Sequence, residues 1–124
     1  MILGIEHIAI AARDVAALAA FYVDSLGFAI NYRGKSAIFV KAPDGSMIEI
    51  IQAEGEAALA GPKTPGVRHL ALRVDDFEAR YAALVSAGVT FLDPPLDKNG
   101  VKVVFFRDPE GNILHLIQRE TPLP

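Results

Sequence analysis

The 124 residues are 52% hydrophobic and carry a formal net charge of −3, enough chain for one globular domain with its own core. That balance lacks the basic footprint of a nucleic-acid binder, and no apolar run reaches the ~18 residues of a membrane span. Cysteine is absent, which excludes disulfides, thiolate nucleophiles and Cys-ligated zinc.

Taken in chain order, the opening stretch MILGIEHIAIAARD reads as a strand over about 4–12 that leads into a helix. It has neither a basic leading region nor a small-residue cleavage site, so a cytoplasmic protein is expected. Asp14 is a plausible helix N-cap, followed by Val15, Leu18, Phe21 and Tyr22 at helical spacing, with Gly27 placed to end the helix. Two further strands and a hairpin follow, turned at Pro43-Asp44-Gly45. The same series then returns. A strand over about 66–74 precedes Asp75 or Asp76 as N-cap, then Phe77, Tyr81, Leu84 and Val85 on one helix face, and Gly88. Asp108-Pro109-Glu110-Gly111 supplies the second hairpin turn.

This return is a duplication. Gly4-Ile5-Glu6-His7-Ile8-Ala9-Ile10 aligns with Gly66-Val67-Arg68-His69-Leu70-Ala71-Leu72. Pro43 to Gln52 aligns with Pro109 to Gln118, placing Glu49 opposite His115. Two matches in the same order make chance a poor explanation. The modules run over about 4–52 and 66–118, joined by a Gly- and Pro-containing linker over about 53–65, within a single domain of residues 1–124. Each module reads as βαβββ, which gives an α+β protein with helices on one face of its sheet.

Side chains on a strand alternate between faces, so position within the strand carries information. Ile8 and Ile10 share one face, and His7, Ala9 and Ala11 the other; Leu70, Leu72 and Val74 oppose His69 and Ala71. Ile48 and Ile50 oppose Glu49, while Leu114 and Leu116 oppose His115. The aliphatic faces can bury against the helices. The other face, expected to be concave, sets ionisable groups among alanines. A single strand histidine is more often structural than functional. Here the chain's three histidines all fall at corresponding places of the duplication, and Glu49 takes the fourth. Gathered without a cation, these groups would carry a desolvation cost that coordination removes. The four residues His7, Glu49, His69 and His115 are therefore the expected ligands of one divalent metal ion.

The stretches Gly-Ile-Glu-His-Ile-Ala-Ile at 4–10 and Phe-Arg-Asp-Pro-Glu-Gly-Asn at 106–112 resemble the vicinal oxygen chelate superfamily over nearly the whole chain. That group includes glyoxalase I, methylmalonyl-CoA epimerase, extradiol dioxygenases, and fosfomycin- and bleomycin-resistance proteins. The resemblance implies paired βαβββ modules forming a cupped mixed sheet around a metal that chelates vicinal oxygens of a substrate. It also implies a homodimer acting on a small molecule. His7, Glu49 and His69 match the first three ligands of the glyoxalase I pattern, whereas His115 stands where that pattern has Glu. His115 likewise departs from the dioxygenase and fosfomycin-resistance pattern, which ends on Glu. Bleomycin-resistance-type binders generally lack the ligands altogether.

Three neutral imidazoles and one carboxylate around M2+ leave about one net positive charge, which favours anionic or enediolate oxygens. Glu49 is the first choice of general base and His115 the second. A glyoxalase-like lyase or isomerase working through an enolate-type intermediate is the leading expectation. Zn, Ni, Mn and Fe all suit the donor set, which keeps a ring-cleaving dioxygenase open. A non-catalytic module binding a small molecule or antibiotic is the alternative from another class. Arg33, Lys35, Lys41, Lys102 and Arg107 could draw an anionic substrate or simply line solvated strand edges. Phe39 and Phe105 occupy matching places and are expected to fill core rather than wall a pocket.

Overall fold

The computed structural model describes residues 1–57 and 60–124. The chain divides into two compact units, Met1–Ala57 and Ala58–Pro124. In the first, β1 (His7–Ala12), α1 (Val15–Asp24), β2 (Ala29–Arg33), β3 (Ala37–Lys41) and β4 (Met47–Gln52) form a sheet in the order β1-β4-β3-β2. β1 runs parallel to β4, and the other pairs are antiparallel. The Asp14 carboxylate accepts from the Ala17 amide at 2.9 Å and so starts α1. Leu18, Ala19 and Tyr22 are the buried residues of the helix, which packs on the sheet. The Ile10, Ala12, Phe28, Val40, Ile48 and Ile50 side chains complete that core. The hairpin between β3 and β4 is closed by Asp44, whose carboxylate accepts from the Ser46 amide at 3.0 Å.

In the second unit, β5 (His69–Arg73) is followed by α2 (Phe77–Ser86), β6 (Thr90–Phe91), β7 (Leu96–Lys98), β8 (Val101–Arg107) and β9 (Ile113–Arg119). The order is β5-β9-β8-β6, with β7 also paired to β8, and β5 runs parallel to β9. Asp76, rather than Asp75, caps α2 by accepting from the Ala79 amide at 3.1 Å. The structure departs here from a simple βαβββ unit, because the strand matching β2 is split into β6 and β7. Pro94 and Pro95 lie between the two pieces. Neither can donate a ladder hydrogen bond, so the edge strand breaks where they stand. Pairing resumes at β7, and Asn99 (φ 54°) and Gly100 (φ 75°) then make a two-residue hairpin turn with both residues left-handed.

The paired glutamines that end the two modules have a structural use. Gln118 accepts from the Phe77 amide at 2.9 Å and donates to the Asp75 carbonyl at 3.0 Å, tying β9 to the start of α2. Gln52 donates to the Arg13 carbonyl at 3.2 Å, just before α1. The second hairpin is tied more tightly still. Buried Asp108 accepts from the Glu110 amide at 2.9 Å, the Asn112 amide at 3.0 Å and Asn112 Nδ2 at 2.8 Å. Asp108→Ala leaves these donors unpaired, so a loss of about 2–3 kcal/mol is expected in urea unfolding, with far less lost in Asp108→Asn. Among the described residues, no helix is long and apolar enough to cross a membrane.

Candidate metal-binding half-sites

The same three-residue constellation occurs once in each unit. In the first, β4 places Glu49 between Ala9 of β1 and Phe39 of β3. In the second, β9 places His115 between Ala71 of β5 and Phe105 of β8. The central residue is flanked in β4 by buried Ile48 and Ile50, and in β9 by buried Leu114 and Leu116, all held on the opposite face. Alternation along the strands thus turns the ionisable residue away from the aliphatic core. Ala on one side leaves space beside it.

In the first unit His7 Nε2 lies 3.7 Å from Glu49 Oε1, and the Phe39 ring meets the His7 ring edge-on at 5.3 Å. His7 Nδ1 lies 2.7 Å from Glu6 Oε1. A carboxylate can only accept, so Nδ1 carries the hydrogen. In the neutral ring Nε2 then holds the lone pair, and two acceptors face each other across the 3.7 Å gap. An imidazole nitrogen and a carboxylate are both lone-pair donors that would hold a divalent cation.

In the second unit the His69 and His115 rings lie 4.7 Å apart and nearly perpendicular, and Phe105 stacks on His115 at 4.6 Å with 10° between planes. His115 is only 7% exposed. Neither of its ring nitrogens has a hydrogen-bond partner. Burial lowers its pKa to about 4, with His69 and Arg119 adding repulsion to the charged form. His115 is therefore neutral near pH 7. Each unpaired buried nitrogen costs about 1–3 kcal/mol, and a cation held by the ring would remove the penalty at the nitrogen it binds.

The structure thus brings His7 to Glu49 in one unit and His69 to His115 in the other. Among the described residues no group of three or more His, Asp or Glu side chains is gathered for a metal. The donor chemistry nonetheless fits a divalent cation: imidazole nitrogens with available lone pairs and one carboxylate.

The duplicated arrangement agrees with a family model, described as the Glyoxalase/Bleomycin resistance protein/Dioxygenase superfamily, that matches residues 4–116. The chain belongs to this superfamily. This glyoxalase-superfamily chain is 33% identical to the Escherichia coli protein YaeR, over 93% of this chain and 95% of that one. It is 31% identical to an ethylmalonyl-CoA/methylmalonyl-CoA epimerase of Cereibacter sphaeroides, over 90% and 93% of the two chains. The crystal structure of a glyoxalase family protein from Enterococcus faecalis superposes with a TM-score of 0.79 at 30% identity, covering 94% of this chain and 98% of that one.

Other residues of this superfamily member stand differently from expectation. Phe39 and Phe105, expected in the core, lie half-buried against the histidines, opposite in face to buried Val40 and Phe106. Lys102 is held by Glu78 at 2.8 Å, and Arg107 donates to the Gly111 carbonyl at 2.8 Å, so both have structural partners. Arg33, Lys35 and Lys41 are exposed. Glu6 stands against His7 Nδ1. Its signal in the sequence was adjacency to His7 alone, with Arg68 at the matching position.

Proposed function

We propose that this protein is a divalent-metal-dependent lyase or isomerase that moves a proton beside a carbonyl of a small, oxygen-chelating substrate. His7, Glu49, His69 and His115 form the ligand set, and the chain works as one domain of two modules, assembled as a homodimer. The observation that carries the reading is His115, buried and neutral with two ring nitrogens lacking hydrogen-bond partners. Its support in chemistry is the relative named as an acyl-CoA epimerase, a reaction class that inverts a centre next to a carbonyl.

When bound, the cation supplies Lewis acidity that lowers the cost of enolate character in the substrate. Glu49 is the base, because it is the ligand set's one carboxylate and remains partly open to solvent. Removal of the substrate proton to the Glu49 carboxylate and its return to a neighbouring atom would give isomerisation, and return of a proton to the opposite face of the same carbon would give epimerisation. His115 is the weaker base, since protonating a ring with a pKa near 4 is unfavourable at neutral pH. Phe39 and Phe105 each set an apolar ring against the histidines of their own unit, where substrate carbon can pack.

The test is deuterium exchange. Protein loaded with Zn, Ni, Mn or Fe is incubated in D2O under argon with glutathione–methylglyoxal hemithioacetal or a 2-methyl-branched acyl-CoA thioester. Deuterium entering at the carbon beside the carbonyl is the expected result. Turnover of catechols that requires dioxygen and iron, without any exchange, would contradict the reading in favour of a dioxygenase.

A further inference from the structure

The two modules differ at the residue preceding each histidine, and the difference is chemical. Glu6 Oε1 sits 2.7 Å from His7 Nδ1. Arg68 holds the matching place before His69 and, being only a donor, cannot accept a proton from its neighbour. A neutral imidazole has one nitrogen with a lone pair, and the partner of the other nitrogen decides which it is. Without a partner at Nδ1, the hydrogen of His7 is free to reside on Nε2, the nitrogen that faces Glu49. That tautomer has no lone pair to give on the Glu49 side.

We propose that Glu6 is a positioning residue that holds His7 with Nδ1 protonated and Nε2 turned to Glu49 as a metal ligand. The inference rests on the reading that His7 and Glu49 hold a divalent cation. It deepens that reading in two ways. A carboxylate behind a ligating imidazole fixes its tautomer and raises its basicity. It also adds a second negative charge beside the His7–Glu49 pair, which favours a cation there. Glu6 is 75% exposed at its side chain, so its replacement leaves the fold intact.

The experiment combines 15N imidazole NMR of the metal-free protein at about pH 8 with calorimetric titration of Zn2+, in wild type, Glu6→Ala and Glu6→Asp. In the wild type, His7 should show a protonated Nδ1 and a lone-pair Nε2. Glu6→Ala should move the hydrogen towards Nε2 and weaken Zn2+ binding about tenfold, with Glu6→Asp restoring much of both. An unchanged tautomer or an unchanged affinity in Glu6→Ala overturns the role of Glu6 while leaving the metal site standing. A wild type that binds no Zn2+, Ni2+, Mn2+ or Fe2+ overturns the metal site and this role together.

Discussion

Replacing Glu49 with Gln is expected to slow proton exchange at the substrate carbon by about 10²–10⁴-fold at saturating metal. The amide preserves the shape of the side chain between Ala9 and Phe39, so β4 and its ladder should be undisturbed. What is lost is the ability to accept a proton. His115 cannot replace it efficiently, being stacked under Phe105 with a pKa of about 4. The fall should appear in kcat, with a smaller change in KM, because the interaction is with the transferring proton rather than with bound substrate. Metal affinity must be measured in parallel, since an amide is also the poorer ligand. A kcat within a few-fold of wild type, with metal saturated, would remove Glu49 from the chemistry.

The second large effect concerns His115→Leu, which should weaken metal binding by at least about 100-fold yet make the metal-free protein more resistant to acid. The ring's pKa falls from 6.5 in the unfolded chain to about 4 in the folded one. Between these values the unfolded state binds more protons, so stability drops as pH falls. The contribution is fully present above about pH 6.5 and is lost as pH approaches 4. Over the interval from about pH 7.5 to pH 4.5 the loss is on the order of 2 kcal/mol. Urea unfolding of metal-free wild type and His115→Leu at about pH 7.5 and pH 4.5 should therefore show the wild type losing more. Equal losses in the two proteins would mean that His115 is not held neutral by burial. The site residue is thus expected to work against stability in the absence of metal, a trade common where function needs a buried polar group.

Much of the fold could be read from the chain because the duplication repeats its local signals. Asp14 and Asp76 cap helices as their side chains allow, and Ile10, Ile48, Ile50, Leu114 and Leu116 fall on the faces that strand alternation assigns. The split of β6 from β7 was not foreseen, although Pro94-Pro95 held the reason. Depth was also beyond the pattern. A period of two states which face His115 occupies, but not that Phe105 covers its ring or that its nitrogens find no donor or acceptor. The same limit misassigned Phe39 and Phe105 to the core, since cross-strand neighbours depend on register rather than on hydrophobicity. Glu6 lies before β1 begins, outside the alternation that singled out His7.

The proposed ligand set requires both the His7–Glu49 and the His69–His115 pair for metal binding. Elemental analysis of protein supplied with Zn, Ni, Mn and Fe, repeated for Glu49→Ala and His69→Ala, tests this directly. One equivalent of metal per chain in the wild type, lost in both variants alike, is the predicted result. No stoichiometric metal in the wild type, or full retention when either residue is removed, would contradict it.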